Sequence, residues 1–397
     1  MAEHSFYIDK TAPVLAIENI IDESANNKEE IGFVMKASDT NFDVFMPVLT
    51  AVVKNGNTYE NKQIDVGEFS DITNGKMFTV KNVEADGIYR IMCTLVDKAG
   101  NVYNEVILDG VDGKTYAKKC SQGDTLLTFS VNRNGSTFEI DEKTIELIDR
   151  YYNQNVNYDI VVYETNVDTL KEYSVILNGK ELVENTDYTV TYEGGNGNWY
   201  KYKYTVNKGL FDGEGEYVLV VSSKDKADND AFSDVKNATI KFVIDRTAPV
   251  VTVSGMDNNG RYQTENQLVT LMPTDDGGML KTLIVRLVDN NGTVIKELVN
   301  LSEEALHEAL ENNDGKITFE IAEGLYQNVQ IICSDYASGE GDDTNTNDIT
   351  YSNISVSSSI VKIFWANKPL RWGTIAGVIV LIGGLTALIV LKKKKVK

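Results

Sequence analysis

Phe242-Val243-Ile244-Asp245-Arg246-Thr247-Ala248-Pro249 repeats the opening Phe6-Tyr7-Ile8-Asp9-Lys10-Thr11-Ala12-Pro13 almost residue for residue. A third copy, Phe129-Ser130-Val131-Asn132-Arg133, lacks the Thr-Ala-Pro tripeptide. The aligned Asp9, Asn132 and Asp245 are 123 and 113 residues apart, the size of one β-sandwich domain. The first and third units agree further inside. Met35 and Met272 are 237 apart, Asn55-Gly56 and Asn291-Gly292 are 236 apart, and Gly75-Lys76 and Gly315-Lys316 are 240 apart. Asp97-Lys98-Ala99-Gly100-Asn101 has a counterpart in Asp225-Lys226-Ala227-Asp228-Asn229 and a decayed one in Asp335-Tyr336-Ala337.

The local pattern inside each unit is β. Asn-Gly occurs seven times and Asp-Gly six, and both dipeptides supply the left-handed backbone that tight hairpins need. Between them lie short alternating runs such as Ile88–Leu95 and Tyr217–Ser222, rich in the residues that suit a half-buried pleated surface. Two helices are expected to interrupt. One runs over Glu303–Glu311 behind Ser302 as N-cap, the other over Glu142–Tyr152 behind Asp141.

Charge separates the chain into two parts. Acids number 59 against 38 bases, a net of −21. Seven of those bases and no acid follow Asn367, so residues 1–367 carry −28. Such a surface repels nucleic acid. Trp372 to Leu391 contains no charged residue, and its 20 residues match the hydrocarbon thickness of a bilayer. Arg371 and Trp372 flank one side; Lys392, Lys393, Lys394, Lys395 and Lys397 flank the other and mark it as cytoplasmic. The expected topology is a single-pass cell-membrane protein with residues 1–370 extracellular and the C-terminus cytoplasmic.

These residues resemble the bacterial immunoglobulin-like repeats of large surface proteins, especially those of Firmicutes. The Asp-Lys/Arg-Thr-Ala-Pro segment and the Asp-Lys-Ala-x-Asn turn carry the resemblance, which covers residues 5 to about 360. It implies an all-β fold: three tandem immunoglobulin-like β-sandwich domains followed by a single C-terminal transmembrane α-helix. The repeat frame gives residues 1–9 as the last strand of a preceding domain. Sandwiches follow at 10–133, 134–245 (Tyr-rich and divergent) and 246–360, then a juxtamembrane linker at 361–371, the membrane helix at 372–391 and a lysine tail at 392–397. Met1–Tyr7 has neither the basic nor the apolar region of a signal peptide, so further units and a secretion signal are expected upstream.

Catalytic constellations are scarce. His4 and His307 have no Cys, Ser or Asp partner at an informative spacing, which argues against a triad or a histidine metal site. Cys93, Cys120 and Cys333 form an odd set without the two-cysteine pattern of animal immunoglobulin domains, so free thiols are expected. The carboxylates are more informative. In an immunoglobulin sandwich the first strand begins beside the B–C and F–G loops. Asp9, Asp39 and Asp97 should therefore meet at the top of the first unit, and Asp245, Asp275, Asp276 and Asp335 at the top of the third. Capping of local turns is the reading these aspartates favour, and no cofactor is expected; the alternative is that the hard oxygen ligands converging there bind Ca²⁺. A second candidate is Trp199-Tyr200-Lys201-Tyr202-Lys203-Tyr204. Its alternation puts Tyr200, Tyr202 and Tyr204 on one sheet face, as either a buried row or, with Trp199, a sugar- or protein-binding surface.

No sortase motif Leu-Pro-x-Thr-Gly is present; Asn367-Lys368-Pro369-Leu370-Arg371 precedes the membrane segment. The function expected from these features is non-catalytic: a monomeric surface stalk or adhesin segment that holds upstream modules off the membrane. Two alternatives stand beside it. One is a module whose middle unit binds a host protein or glycan; the other is the membrane-proximal part of a surface hydrolase with its catalytic domain upstream.

Overall fold

The structure, a computed structural model, describes residues 8–394 except 57, 196–197, 232–235 and 340–343. His4, Phe6, Tyr7, Asn196, Gly197 and Lys395–Lys397 lie outside the described residues. The chain is mostly β up to a C-terminal helical segment and builds immunoglobulin-like sandwiches in tandem. It forms two compact units. One comprises Met1–Ile148, Asn157–Leu210 and Val218–Lys241; the other comprises Asp149–Val156, Phe211–Tyr217 and Phe242–Lys397.

The first unit contains two sandwiches. In the first, one sheet is ordered Thr115–Lys119, Glu105–Asp109, Val14–Ile21, Phe33–Ser38, Gly75–Val80, Glu68–Ile72. It faces a sheet ordered Ser24–Asn26, Leu127–Val131, Gly87–Asp97, Phe42–Asn55, Thr58–Gln63. Alternation along the strands fills the space between: Leu15 and Ile17, Phe33 and Met35, and Tyr89, Ile91, Cys93 and Leu95 are all buried. Burial of these side chains is the main favourable term for a sandwich of this size. Tyr89 and Phe129 stack at 5.0 Å across one end of this core.

The second sandwich sets Thr137–Ile140, Ile160–Asn166, Asn198–Val206 and Tyr188–Gly195 in one sheet. Leu170–Leu177 stands in the opposing sheet, and the Tyr173 and Tyr204 rings meet edge to face at 5.8 Å. Along Asn198–Val206 the alternation is as expected, with Tyr202 and Tyr204 buried and Lys201 and Lys203 in solvent.

In the second unit Val250–Ser254, Asn266–Thr274 and Ile317–Ala322 form one sheet; Leu280–Val288, Val294–Ser302, Gly324–Ser338 and Thr344–Val356 form the other. Leu271, Leu283, Val285, Leu306, Ile331 and Cys333 lie between them. Helix Glu303–Glu311 forms over the residues expected, and Leu306 anchors it in the core. The expected helix over Glu142–Tyr152 does not form in full. Asp141 caps Lys143 N–H as expected, but the helix ends at Ile145. Asp149 is left-handed (φ 56°), and Tyr151–Tyr152 pairs as a strand with Val243–Ile244. A stretch this short has little helical stability of its own, so tertiary strand pairing outweighs it. Phe211, Tyr217 and Phe242 pack in this unit with ring centroids 5.2–5.6 Å apart.

The juxtamembrane stretch is helical. Ile360–Ala366 forms a short helix, Asn367 turns the chain, and Lys368–Lys394 forms one long helix. Its segment Lys368–Leu388 is long and apolar enough to cross a membrane, and its apolar run is not buried inside the protein.

All three cysteines are free. Cys93 and Cys333 are buried, which pushes both thiols up to about 12, whereas Cys120 is half-exposed. In the native protein Cys120 alone is expected to react with Ellman's reagent, the other two at least about a hundredfold more slowly until the chain is unfolded. Equal rates for all three thiols would contradict this core.

Candidate metal centre

The Asp-Lys/Arg-Thr-Ala-Pro segment leads into the first strand of a sandwich, and its Asp lies beside two loops. In the third repeat Asp275 lies in the loop directly after strand Asn266–Thr274, and Asp335 lies near the end of strand Gly324–Ser338. One carboxylate oxygen from each of Asp245, Asp275 and Asp335 lies within 4.8 Å of the others. Asp276 is exposed and is not part of this group. Asp9, Asp39 and Asp97 converge in the same way in the first repeat. Of the seven acids singled out in the sequence, six meet as two triplets and Asp276 stands outside.

Turn capping and convergence operate together, because each carboxylate has two oxygens. Asp245 Oδ1 accepts the Thr247 N–H at 3.0 Å, Asp275 Oδ1 accepts those of Gly277 and Gly278 at 3.3 Å, and Asp335 Oδ1 accepts that of Ala337 at 2.8 Å. Asp245 Oδ2 and Asp275 Oδ2 are buried and have no hydrogen-bond partner. Asp245 and Asp335 are 1 % and 0 % exposed, so water does little to screen their charges. Burial, with Asp275 and Asp245 adding to it, pushes the Asp335 carboxyl up to about 7 against the donations from Asn345 and Ala337. Burial likewise raises Asp245. Gly278 allows the close approach: a Cβ there would stand 2.5 Å from Asp245 Oδ2.

The first repeat is more open. Asn41 Nδ2 donates to Asp9 Oδ2 at 2.6 Å and holds that carboxyl below the usual range. Asp97 Oδ1 accepts the N–H groups of Ala99 and Asn101.

The middle repeat shows the same architecture with one atom changed. Asn132 stands where the others have Asp. Gly135 N–H donates to Asn132 Oδ1, which turns Nδ2 inward. From there Nδ2 donates to Asn166 Oδ1 and Asp225 Oδ2 at 2.7 Å and to Asp168 Oδ2 at 3.2 Å. An amide nitrogen thus supplies positive hydrogens at the position where Asp9 and Asp245 present a carboxylate. A neutral donor at this point balances part of the charge of Asp168 and Asp225.

One residue at each site was only partly legible. Asn101, Asn229 and Asn345 each donate Nδ2 to the backbone oxygen of the repeated motif's Asp or Asn (Asp9, Asn132, Asp245) and to the later carboxylate of the same repeat (Asp97, Asp225, Asp335). The first two follow their Asp by four residues; Asn345 follows Asp335 by ten, so the motif looks decayed although the contact is retained. A second polar group went unnoticed in the sequence. Glu164, fully buried, accepts hydroxyl donations from Ser136, Ser223 and Tyr204.

The aromatic candidate is placed differently. Tyr204 donates into that buried Glu164 at 2.5 Å, and Tyr202 is 6 % exposed. Trp199 Nε1 donates to Val52 O at 3.0 Å, and its ring lies 5.4 Å from Tyr59 of the first sandwich. Tyr200 lines a cleft of about 470 Å³ with Arg90, Asp168 and Lys226. The four rings do not form one exposed row.

No protein-family model matches the chain, and no curated protein matches it. Among solved structures it is similar to Rst D1-D2, at 8 % identity over 59 % of this chain and 99 % of that one, with a TM-score of 0.33. It is also similar to Dpr2 Ig1-Ig2 in complex with DIP-Theta Ig1-Ig3, at 10 % identity over 87 % of this chain and 99 % of that one, with a TM-score of 0.30. The sandwiches themselves define the class: an immunoglobulin-like repeat protein with one C-terminal apolar helix.

Proposed function

We propose that this chain is a non-catalytic cell-surface stalk segment of the bacterial immunoglobulin-like type. It is anchored by its terminal helix with the sandwiches outside and the lysine tail in the cytoplasm. The observation that carries this reading is the passage from tandem sandwiches into a single unburied apolar helix followed by lysines. Strands of up to about ten residues at about 3.4 Å each give every sandwich a reach of roughly 35 Å, enough for a spacer built by repetition. Protease added to intact cells that express the chain with a C-terminal tag should remove the sandwiches and leave a tagged membrane fragment. A full-length chain that survives this treatment, or a tag that is digested, would overturn the topology.

Ca²⁺ at the Asp245–Asp275–Asp335 nest, and at Asp9–Asp39–Asp97, belongs to the same proposal. The partnerless inward oxygens of Asp245 and Asp275 support it. Calcium at a hundred times its dissociation constant is expected to stabilise a site by about 2.7 kcal/mol. Thermal melts with calcium and with chelator that coincide would sink the calcium part alone.

A further inference from the structure

At the foot of the last sandwich, Arg261 fixes a corner. Its Nε and Nη2 donate to Ala366 O at 3.1 and 3.0 Å, while Nη1 donates to Asn259, Gly260 and Asn353 carbonyls at 2.6–2.8 Å. Ala366 ends the short helix, and only Asn367 separates it from the long one. The short helix is therefore held at the level where the terminal helix begins. Its outer side is apolar: Ile360, Val361 and Trp365 are 63 %, 59 % and 48 % exposed. Leu370 and Trp372, a turn further on, are also exposed.

Charge at this level is the reverse of that of the ectodomain. No acid follows Asp348, whereas Lys362, Lys368 and Arg371 lie between it and the apolar run. Lys368 Nζ stands 5.7 Å over the Tyr326 ring, beside a cavity of about 500 Å³ lined also by Arg261, Asn353 and Asn367. Glu323 is the acid that faces the short helix, and Ser357 and Ser358 occupy its carboxylate.

We propose that this corner is a lipid-docking foot. Ile360, Val361 and Trp365 enter the interfacial layer of the outer leaflet, and Lys368 and Arg371 take the headgroup of an anionic phospholipid. The inference rests on the reading that the terminal helix spans a membrane. Continuity argues for lipid as the occupant: from Trp372 back to Lys368 is about 6 Å of helix, so the foot begins within the headgroup layer. Exposed tryptophan beside basic residues suits that layer, where an apolar ring meets a polar, anionic surface.

The test uses the full chain in bilayer nanodiscs containing phosphatidylglycerol and phosphatidylcholine, with bromines on the acyl chains as quenchers of tryptophan emission. The unsubstituted chain should be quenched, and Trp372→Phe should remain quenched through Trp365. Quenching that vanishes in Trp372→Phe overturns the foot and leaves the anchor standing. Quenching absent from the unsubstituted chain overturns the anchor and the foot together. Bromines confined to phosphatidylglycerol should quench Trp365 about twofold more than bromines confined to phosphatidylcholine, and Lys368→Gln with Arg371→Gln should abolish the difference. Equal quenching by both lipids would overturn the headgroup assignment. Loss of the preference in excess inorganic phosphate would make it a free-anion site instead.

Discussion

Asn132→Asp is expected to make the middle repeat dependent on calcium. In chelator the substitution removes the amide donor and adds a third carboxylate to Asp168 and Asp225, all within a buried nest. An uncompensated buried charge of this kind costs about 3–5 kcal/mol. Calcium should restore most of that loss, because the variant then offers the oxygen set of the first and third repeats. Chemical denaturation of Asn132→Asp with calcium and with chelator measures both numbers. A loss that calcium leaves unchanged would show that the nest cannot accept a cation even with the acid in place. The mirror substitution, Asp245→Asn, is expected to abolish the calcium response of the third repeat while its fold is retained, since the new amide can donate as Asn132 does.

The second large effect is expected at Arg133, which follows Asn132 as Lys10 follows Asp9 and Arg246 follows Asp245. Its guanidinium reaches the base of the first sandwich. It donates to the carbonyl oxygens of Lys28, Glu29, Val83 and Glu84, with Asp86 3.7 Å away. Arg246 makes the same kind of contact within its own unit, to Asn155 and the Asp212 carbonyl. Arg133→Ala should therefore cost about 3 kcal/mol, the scale of losing charge-assisted hydrogen bonds at a partly buried site. Proteolytic cleavage near residues 131–135 should become faster in the same variant. Arg133→Lys should recover less than half of the loss, because an ammonium cannot fork across several carbonyls. Wild-type stability and cleavage rates in Arg133→Ala would show that the contact holds nothing together.

The basic position of the repeated motif is thus explained by a job that the motif does not display. The acid before it faces the loops of its own sandwich, and the base, at Arg133 and Arg246, reaches back to loop residues that precede it in the chain. The acids keep near-constant separations, 30 residues both from Asp9 to Asp39 and from Asp245 to Asp275, whereas the groups that Arg133 and Arg246 meet have no fixed separation in sequence. The same reason accounts for Asn345: its contact matches those of Asn101 and Asn229, while its spacing from Asp335 does not.

What the sequence determined by itself is whatever depends on period and length. Alternation with Asn-Gly and Asp-Gly turns specified sandwiches, the repeat offsets matched acids of the first unit to those of the third, and an uncharged run of bilayer length specified the terminal helix. Tertiary structure decided the rest. Tyr151–Tyr152 became a strand because partners were waiting at Val243–Ile244. Tyr202 and Tyr204 became core because a second sheet covers their face, although the alternation alone fits a buried or an exposed row equally well. The Asn132 amide took the place of a charge because Gly135 turns it inward against two buried acids. Local pattern fixes which way side chains alternate; only packing of distant segments fixes what each one meets.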